Sequence, residues 1–381
     1  MLLHLQSVPD QLPDRERRSE RAGGPTVPPG RARILLGAAR YNHCVITLVL
    51  ATEHGLFIAR HALDWTVERH LDGRGVYCIA VDAFAPSHVY CGTMGDGLWR
   101  SDDMGHSWEP AGSGIPHPAI TSATVSATEQ EQDLGVVYAG TEPSGVFRST
   151  DGGSTWSGMP ALLALPSKPT WSFPPRPDTN HVRWIEADPV LPGRLYVAIE
   201  AGALVRTSDG GRTWEDRVPT GPYDTHTAAT HRLAPGRVYS SAGDGYFETH
   251  DAGRTWTRRV EGLEQRYLVG VAVHQEDPES VLVSCADGPW TAYDPPQAEA
   301  YIYRRSARRD WHLAMEGFAA AQGTSVSQLT THPDAPQMVY AANNRGVFHT
   351  HDAGRRWHHL EIAWPEGALI DGVHALAVIV E

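Results

Sequence analysis

Four cysteines in 381 residues, with no CxxC pair among them, leave no zinc-ribbon or thioredoxin-like motif. Three of Cys44, Cys78, Cys91 and Cys285 sit inside apolar runs, so all four read as reduced core thiols. No apolar run is long enough to span a bilayer. The apolar start Met1–Leu5 is too short for a secretory signal, so the cytoplasm is the expected compartment. Positive charge is scarce as well. Lys and Arg number 32 against 45 Asp and Glu, a net charge of −13. A chain so acidic does not suit the phosphate backbone of nucleic acid or an anionic membrane surface, both of which select for Lys and Arg. No GxSxG elbow, P-loop or dinucleotide-binding glycine pattern is present.

What is abundant is punctuation. Gly at 37 and Pro at 28, with 8% aromatics, suit short strands joined by tight turns. Histidine, at 20, is also unusually frequent. Residues 1–33 differ from the rest: a charged stretch, Asp14–Arg21, is followed by the Gly- and Pro-rich Gly23–Gly30. Neither can build a core, and the segment is expected to be a disordered tail. Residues 34–381 are expected to form one domain.

That domain is repetitive. The pattern [Ser/Thr]-x-Asp-x-Gly-x-[Ser/Thr]-Trp occurs at Ser101–Trp108, Ser149–Trp156, Thr207–Trp214 and Thr249–Trp256. A fifth copy, Thr350–Trp357, has Arg356 at the hydroxyl position, and two degenerate copies survive as Asp64-Trp65 and Asp310-Trp311. The closing tryptophans, 65, 108, 156, 214, 256, 311 and 357, are spaced by 43, 48, 58, 42, 55 and 46 residues. Such a spacing is the length of one four-stranded propeller blade. Within the motif the Asp carboxylate can accept backbone N–H groups across a tight turn, Gly can take positive φ, and Trp offers a large face for packing between blades.

The motif resembles the Asp-box, or BNR-repeat, propellers, a group that includes sialidases, sortilin-type receptors, xyloglucanases and photosystem II assembly factors. The resemblance runs from Ile34 to Glu381 and implies an all-β, seven-bladed propeller of four-stranded antiparallel blades. It implies structure more than activity, because the Asp boxes lie on the outer hairpins, away from the face where the inner strands begin. Sialidases carry an Arg-Ile-Pro signature, whereas residues 31–36 here read Arg-Ala-Arg-Ile-Leu-Leu. Xyloglucanases use two propellers, and this chain has repeats for one. Photosystem II assembly factors carry a basic patch, and this chain is acidic. The first blade lacks an inner strand, and the C-terminal run His374–Val380 is left over. The expectation is a clasp, with that run pairing beside Val45–Ala51 and removing an exposed sheet edge.

Aligning the repeats places a set of polar residues at the mouth where inner strands begin. Tyr77, Arg183, His226 and His374 share one level, with His181 and Asp224 just upstream; Glu53, Glu142 and Glu200 come from the loops joining second and third strands. The long loop 166–181, stiffened by five prolines, adds Trp171, Phe173 and Arg176 as candidate ligand contacts. His181, Arg183, Asp224, His226, Glu142 and Glu200 are the candidate catalytic residues, with Asp224 orienting His226 as a general base and Arg183 holding an anionic group. Tyr77, His374 and Glu53 complete the candidate ligand-binding set. A divalent metal is a candidate cofactor, with His181, His226 and His374 as ligands beside Glu142 or Glu200, although no local ligand spacing supports it. The expected partner is a small polar or anionic molecule, acted on by hydrolase- or lyase-type chemistry. The competing reading is a non-catalytic interaction scaffold.

Overall fold

The computed structural model describes residues 45–307, 309–368 and 370–380. The tail expected over residues 1–33, the domain start at Ile34 and Cys44 lie outside the described residues. Seven antiparallel sheets follow one another in chain order and form a seven-bladed propeller. Inner strands of blades 2 to 7 are Val76–Val81, Ala119–Glu131, Val182–Ala187, Thr225–Thr230, Tyr267–Val273 and Gln328–Thr331. Blade 1 takes its inner strand from the other end of the chain: Val373–Val380 pairs antiparallel with Ile46–Thr52, in a register running from Ile46 opposite Val380 to Ala51 opposite Ala375. The expected clasp is therefore present. Six sheets have four strands. In blade 4 the fourth position is a single bridge between Arg206 and Glu215.

The repeat explains how blades hold together. In the first full box Asp103 accepts the Ser107 backbone N–H at 2.8 Å and its hydroxyl at 2.6 Å, while Ser101 donates to the same carboxylate. Asp151, Asp209 and Asp251 repeat this arrangement. In the fifth box Asp352 accepts the Thr350 hydroxyl and the backbone N–H groups of Arg355 and Arg356, with no hydroxyl at position 356 to donate. Gly105 turns the chain at φ 90°, a conformation that a side chain would strain. Each closing tryptophan packs against a different interblade apolar cluster, so the seven tryptophans seal seven interfaces. Cys78, Cys91 and Cys285 are free and buried, and burial pushes the Cys78 thiol up to about 12.

All seven inner strands line a narrow axial cavity of about 60 Å³, which has room for only a few waters. Toward the Asp-box face the channel widens into a vestibule of about 840 Å³ lined mainly by Ala, Val, Ile, Leu and Thr. The other end of the channel carries the polar candidates. No helix among the described residues is long and apolar enough to cross a membrane.

Candidate functional site

The inner strands of blades 4 and 5 start side by side, and their first residues supply the centre of the site. His181 precedes Val182–Ala187, Arg183 lies within it, and His226 lies within Thr225–Thr230. Glu200 follows the second strand of blade 4, Leu195–Ile199, and its backbone N–H donates to the His181 carbonyl at 3.4 Å. Strand register thus brings four residues spread over 46 positions to one point.

Glu200 is the hub. Its Oε2 accepts from His181 Nε2 at 2.7 Å and lies 3.5 Å from Arg183 Nε. Its Oε1 lies 3.8 Å from His226 Nε2. Burial alone would push this carboxyl up, but the His181 hydrogen bond and the neighbouring Arg183 charge outweigh it and hold it at about 2. A carboxylate can only accept, so His181 carries its proton on Nε2, and its Nδ1 faces Glu142 Oε2 at 3.6 Å. His226 is fully buried, and its Nδ1–H donates to the Leu268 carbonyl at 2.6 Å. That bond places a proton on Nδ1, so in the neutral ring the lone pair is on Nε2. Nε2 faces both Glu200 Oε1 and, at 3.7 Å, Asp224 Oδ2. His226 Nε2, His181 Nδ1 and Arg183 Nε are all buried without a hydrogen-bond partner.

Around this centre lies an aromatic collar. The Arg183 guanidinium sits over the Tyr77 ring at 5.3 Å, and Tyr77 stacks on His374 at 4.5 Å. Burial and then the Arg183 charge push His374 down to about 3, so this imidazole is neutral at physiological pH. Tyr267 lies 4.9 Å from His226 and meets Tyr293 edge-on at 6.2 Å. Burial pushes the Tyr267 phenol up. Phe173 packs edge-on against His181 at 4.8 Å, and Arg176 covers Phe173 while forking onto Glu142 at 3.0 and 2.6 Å.

The structure thus gathers His181, Arg183, Asp224, His226, Glu142 and Glu200, with Tyr77, Phe173, Arg176 and His374 around them. Several expected roles change. Trp171 does not face a ligand: it is 5% exposed in the core of blades 3 and 4, with its indole N–H donated to Ser167 Oγ at 2.9 Å. Asp224 does not orient His226 through Nδ1, because the Leu268 carbonyl holds that nitrogen. Glu142 is occupied by Arg176. Glu53 is largely exposed and stands 3.8 Å from His374 Nε2 at the edge of the site. His374 is stacked on Tyr77, and the His181 Nε2 is taken by Glu200, so the three imidazoles do not share a metal position. Among the described residues, the group whose ligand atoms all lie within 4.8 Å of one another is Glu200, Asp224 and His226.

Sequence reasoning missed Tyr267 and Tyr293. Tyr267 opens the inner strand of blade 6 at the level of His181 and Asp224, two residues upstream of the level of Tyr77, and that shared upstream position was the available signal. Tyr293 sits on a one-turn helix, Pro289–Tyr293, inserted between the second and third strands of blade 6, and no repeat marks it. Thr121, which also lines the axial cavity, belongs to an inner strand rich in Thr and Ser that lacks the apolar signature of the others.

No protein-family model and no curated protein matches the sequence. Solved structures match by shape. An ancestral GH74 enzyme is 14% identical, with a TM-score of 0.58 over 76% of this chain and 39% of its own. A GH74 enzyme from Niastella koreensis is 15% identical, with a TM-score of 0.52 over 86% of this chain and 58% of its own. YCF48 bound to D1 peptide is 18% identical, with a TM-score of 0.50 over 74% of this chain and 81% of its own. The chain therefore spans well under two thirds of the length of these GH74 enzymes. Identities this low speak for the fold alone. With the repeats and the seven sheets, they make this chain a seven-bladed Asp-box β-propeller.

Proposed function

We propose that the protein takes a small polar or anionic molecule at the end of the axial channel where the inner strands begin, and performs hydrolase- or lyase-type chemistry on it. The observation that carries this reading is the gathering around Glu200 of three residues that each keep a buried polar atom without a partner: His181 Nδ1, Arg183 Nε and His226 Nε2. Each costs about 1–3 kcal/mol in a folded chain. Three from neighbouring strands at one point are explained by a ligand that completes them. His226, held through Nδ1 by the Leu268 carbonyl, presents Nε2 either as a general base or as a metal ligand; Arg183 offers a cation to an anionic group; the aromatic collar limits the size of what enters.

A panel of 4-nitrophenyl esters, phosphates and glycosides tests this. Turnover of at least one member is expected, lost at least 100-fold in His226→Gln and with a raised KM in Arg183→Met. Absence of turnover, or turnover indifferent to both variants, overturns the reading.

One observation favours the scaffold reading. Trp290, 72% exposed, and Tyr293 on the one-turn helix lie on the same face as the exposed Tyr223. Exposed aromatics of this kind serve protein contacts, and one structural neighbour, YCF48, is described bound to a peptide. Capture of a peptide that depends on Trp290 and not on His226 would favour it.

A further inference from the structure

We propose that Glu200, Asp224 and His226 form a binding site for one divalent cation, of the class that accepts imidazole and carboxylate together, zinc foremost and manganese next. The proposal rests on the reading of this site as functional and names what completes it.

The geometry comes first. His226 Nε2 stands 3.8 Å from Glu200 Oε1 and 3.7 Å from Asp224 Oδ2. These separations are too long for hydrogen bonds. Ligand atoms sharing a tetrahedral ion at ~2.1 Å lie ~3.4 Å from one another. Nε2 therefore needs to close on each carboxylate by only a few tenths of an ångström, and the two carboxylate oxygens lie within 4.8 Å of each other.

The electrostatics agree. Nε2 carries a lone pair, because Nδ1 spends its proton on the Leu268 carbonyl. A lone pair facing two carboxylates in a buried place lacks a positive charge between them. Glu200 has Arg183 nearby and Glu142 has Arg176. Among the described residues, the charged or titratable group within ion-pair distance of Asp224 is His226 itself. Asp224 is thus the uncompensated charge that a divalent cation would answer.

The supports are the third observation. Metal ligands are characteristically held by a second hydrogen bond from behind, which aims the free atom at the ion. Here all three are. Glu200 is held through Oε2 by His181 Nε2–H, leaving Oε1 free. Asp224 is held through Oδ1 by the Ala201 backbone N–H at 2.8 Å, leaving Oδ2 free. His226 is held through Nδ1 by Leu268, leaving Nε2 free. Gly243 adds room, since a Cβ there would collide with Asp224 Oδ2. One nitrogen and two oxygens suit zinc, and tolerate manganese, better than the all-oxygen shells of calcium and magnesium.

The test uses the full chain, stripped with a chelator, dialysed, and titrated calorimetrically with zinc sulfate and with manganese chloride, the bound metal being counted by mass spectrometry. One equivalent is expected, with affinity reduced at least 100-fold in His226→Gln and at least tenfold in Asp224→Asn. Asp224 is the most exposed of the three, so its variant keeps the test open if the His226 variant fails to fold. With 20 histidines in the chain, adventitious binding is controlled by His349→Gln/His358→Gln on the outer strands of blade 7, which should change affinity less than twofold. No stoichiometric binding overturns the proposal, as does binding that survives in folded Asp224→Asn and His226→Gln. Loss only in the blade 7 variant does the same. The two readings separate cleanly. Metal uptake without turnover of any panel member leaves the metal site standing and removes the catalytic reading. Turnover that persists in chelator, and depends on Arg183, does the reverse.

Discussion

Glu200 and Glu248 are both buried glutamates with arginine neighbours, both held at about 2, and they sit in adjacent blades, yet they are built to different ends. Around Glu248 the carboxylate is filled. Arg305 donates at 2.5 Å, Arg259 Nε forms an ion pair at 2.5 Å, and Arg237 and the Tyr246 hydroxyl approach to 3.3 Å. Arg305 is further packed against the rings of Tyr246 and Trp311. Around Glu200 one oxygen is satisfied and the other faces an imidazole it does not bond. The difference teaches that buried charge by itself does not mark function. What marks it is a network whose members are held from behind and left unjoined in front.

The comparison can be broken by removing each hub. Glu248→Gln should cost about 3–5 kcal/mol, because it leaves Arg237 and Arg305 buried beside a neutral group. Glu200→Gln should cost about 1–3 kcal/mol, since its partners are already incompletely bonded. Denaturant unfolding of both variants measures the order, and a reversed order would undo the distinction.

Acid sharpens it further. His374 has a folded pKa depressed to about 3, so the unfolded chain takes up the proton first. Stability contributed by the neutral imidazole is present above the unfolded value, near 6.5, and falls as pH drops toward 3. Between pH 6.5 and 5 the loss should be roughly 1.5–2 kcal/mol, and it should vanish in His374→Gln. The two glutamates behave differently: their contribution holds down to about pH 4.5 and is lost as pH falls through about 2. Denaturant melts of both chains across this range would show whether the site end of the channel responds to milder acid than the Glu248 cluster.

His226→Gln should lower stability by about 1–2 kcal/mol, since a buried bond to Leu268 is lost, while removing ligand or metal binding. A solvated channel histidine would have been nearly neutral; the full burial of this one is why a measurable cost is expected. The smallest effect belongs to the repeat. Asp151→Ala should cost about 1 kcal/mol, because the N–H and hydroxyl it releases at Thr155 are exposed and water can replace it. Binding at the channel should not change, and a large change in a folded variant would place the functional face at the Asp-box end.

Blade number and clasp were legible because each rests on a local signal that repeats. Trp65 and Trp311 kept the period even where their boxes had decayed, and the surplus strand His374–Val380 had one place to go. The gathering of His181, Arg183, Glu200 and His226 was legible for the same reason, since register alone aligns them. What was not legible depends on which way a side chain turns. Trp171 lies in a loop with no period, and nothing in the sequence says that its indole would bond Ser167 and face inward. The partner of His226 Nδ1 is a backbone carbonyl on the next blade, and a carbonyl has no residue identity to read. The inner strand of blade 3 escaped because its Thr- and Ser-rich face looks onto a polar channel and has no need of apolar alternation.

The clasp has a consequence in time. Strand Ile46–Thr52 is among the first described segments a ribosome would release, while its partner Val373–Val380 follows almost the whole described chain later. At roughly 5–20 residues per second that interval is on the order of tens of seconds. Throughout it, blade 1 presents a hydrophobic edge with unpaired backbone groups, the kind of edge that recruits other strands. The nascent ring is a template awaiting a specific guest, and any foreign strand that arrives first competes for its place. Joining the two strands by a short hairpin, with a new opening between two other blades, would make the guest local. Such a permuted chain should refold faster and leave less aggregate than the natural order.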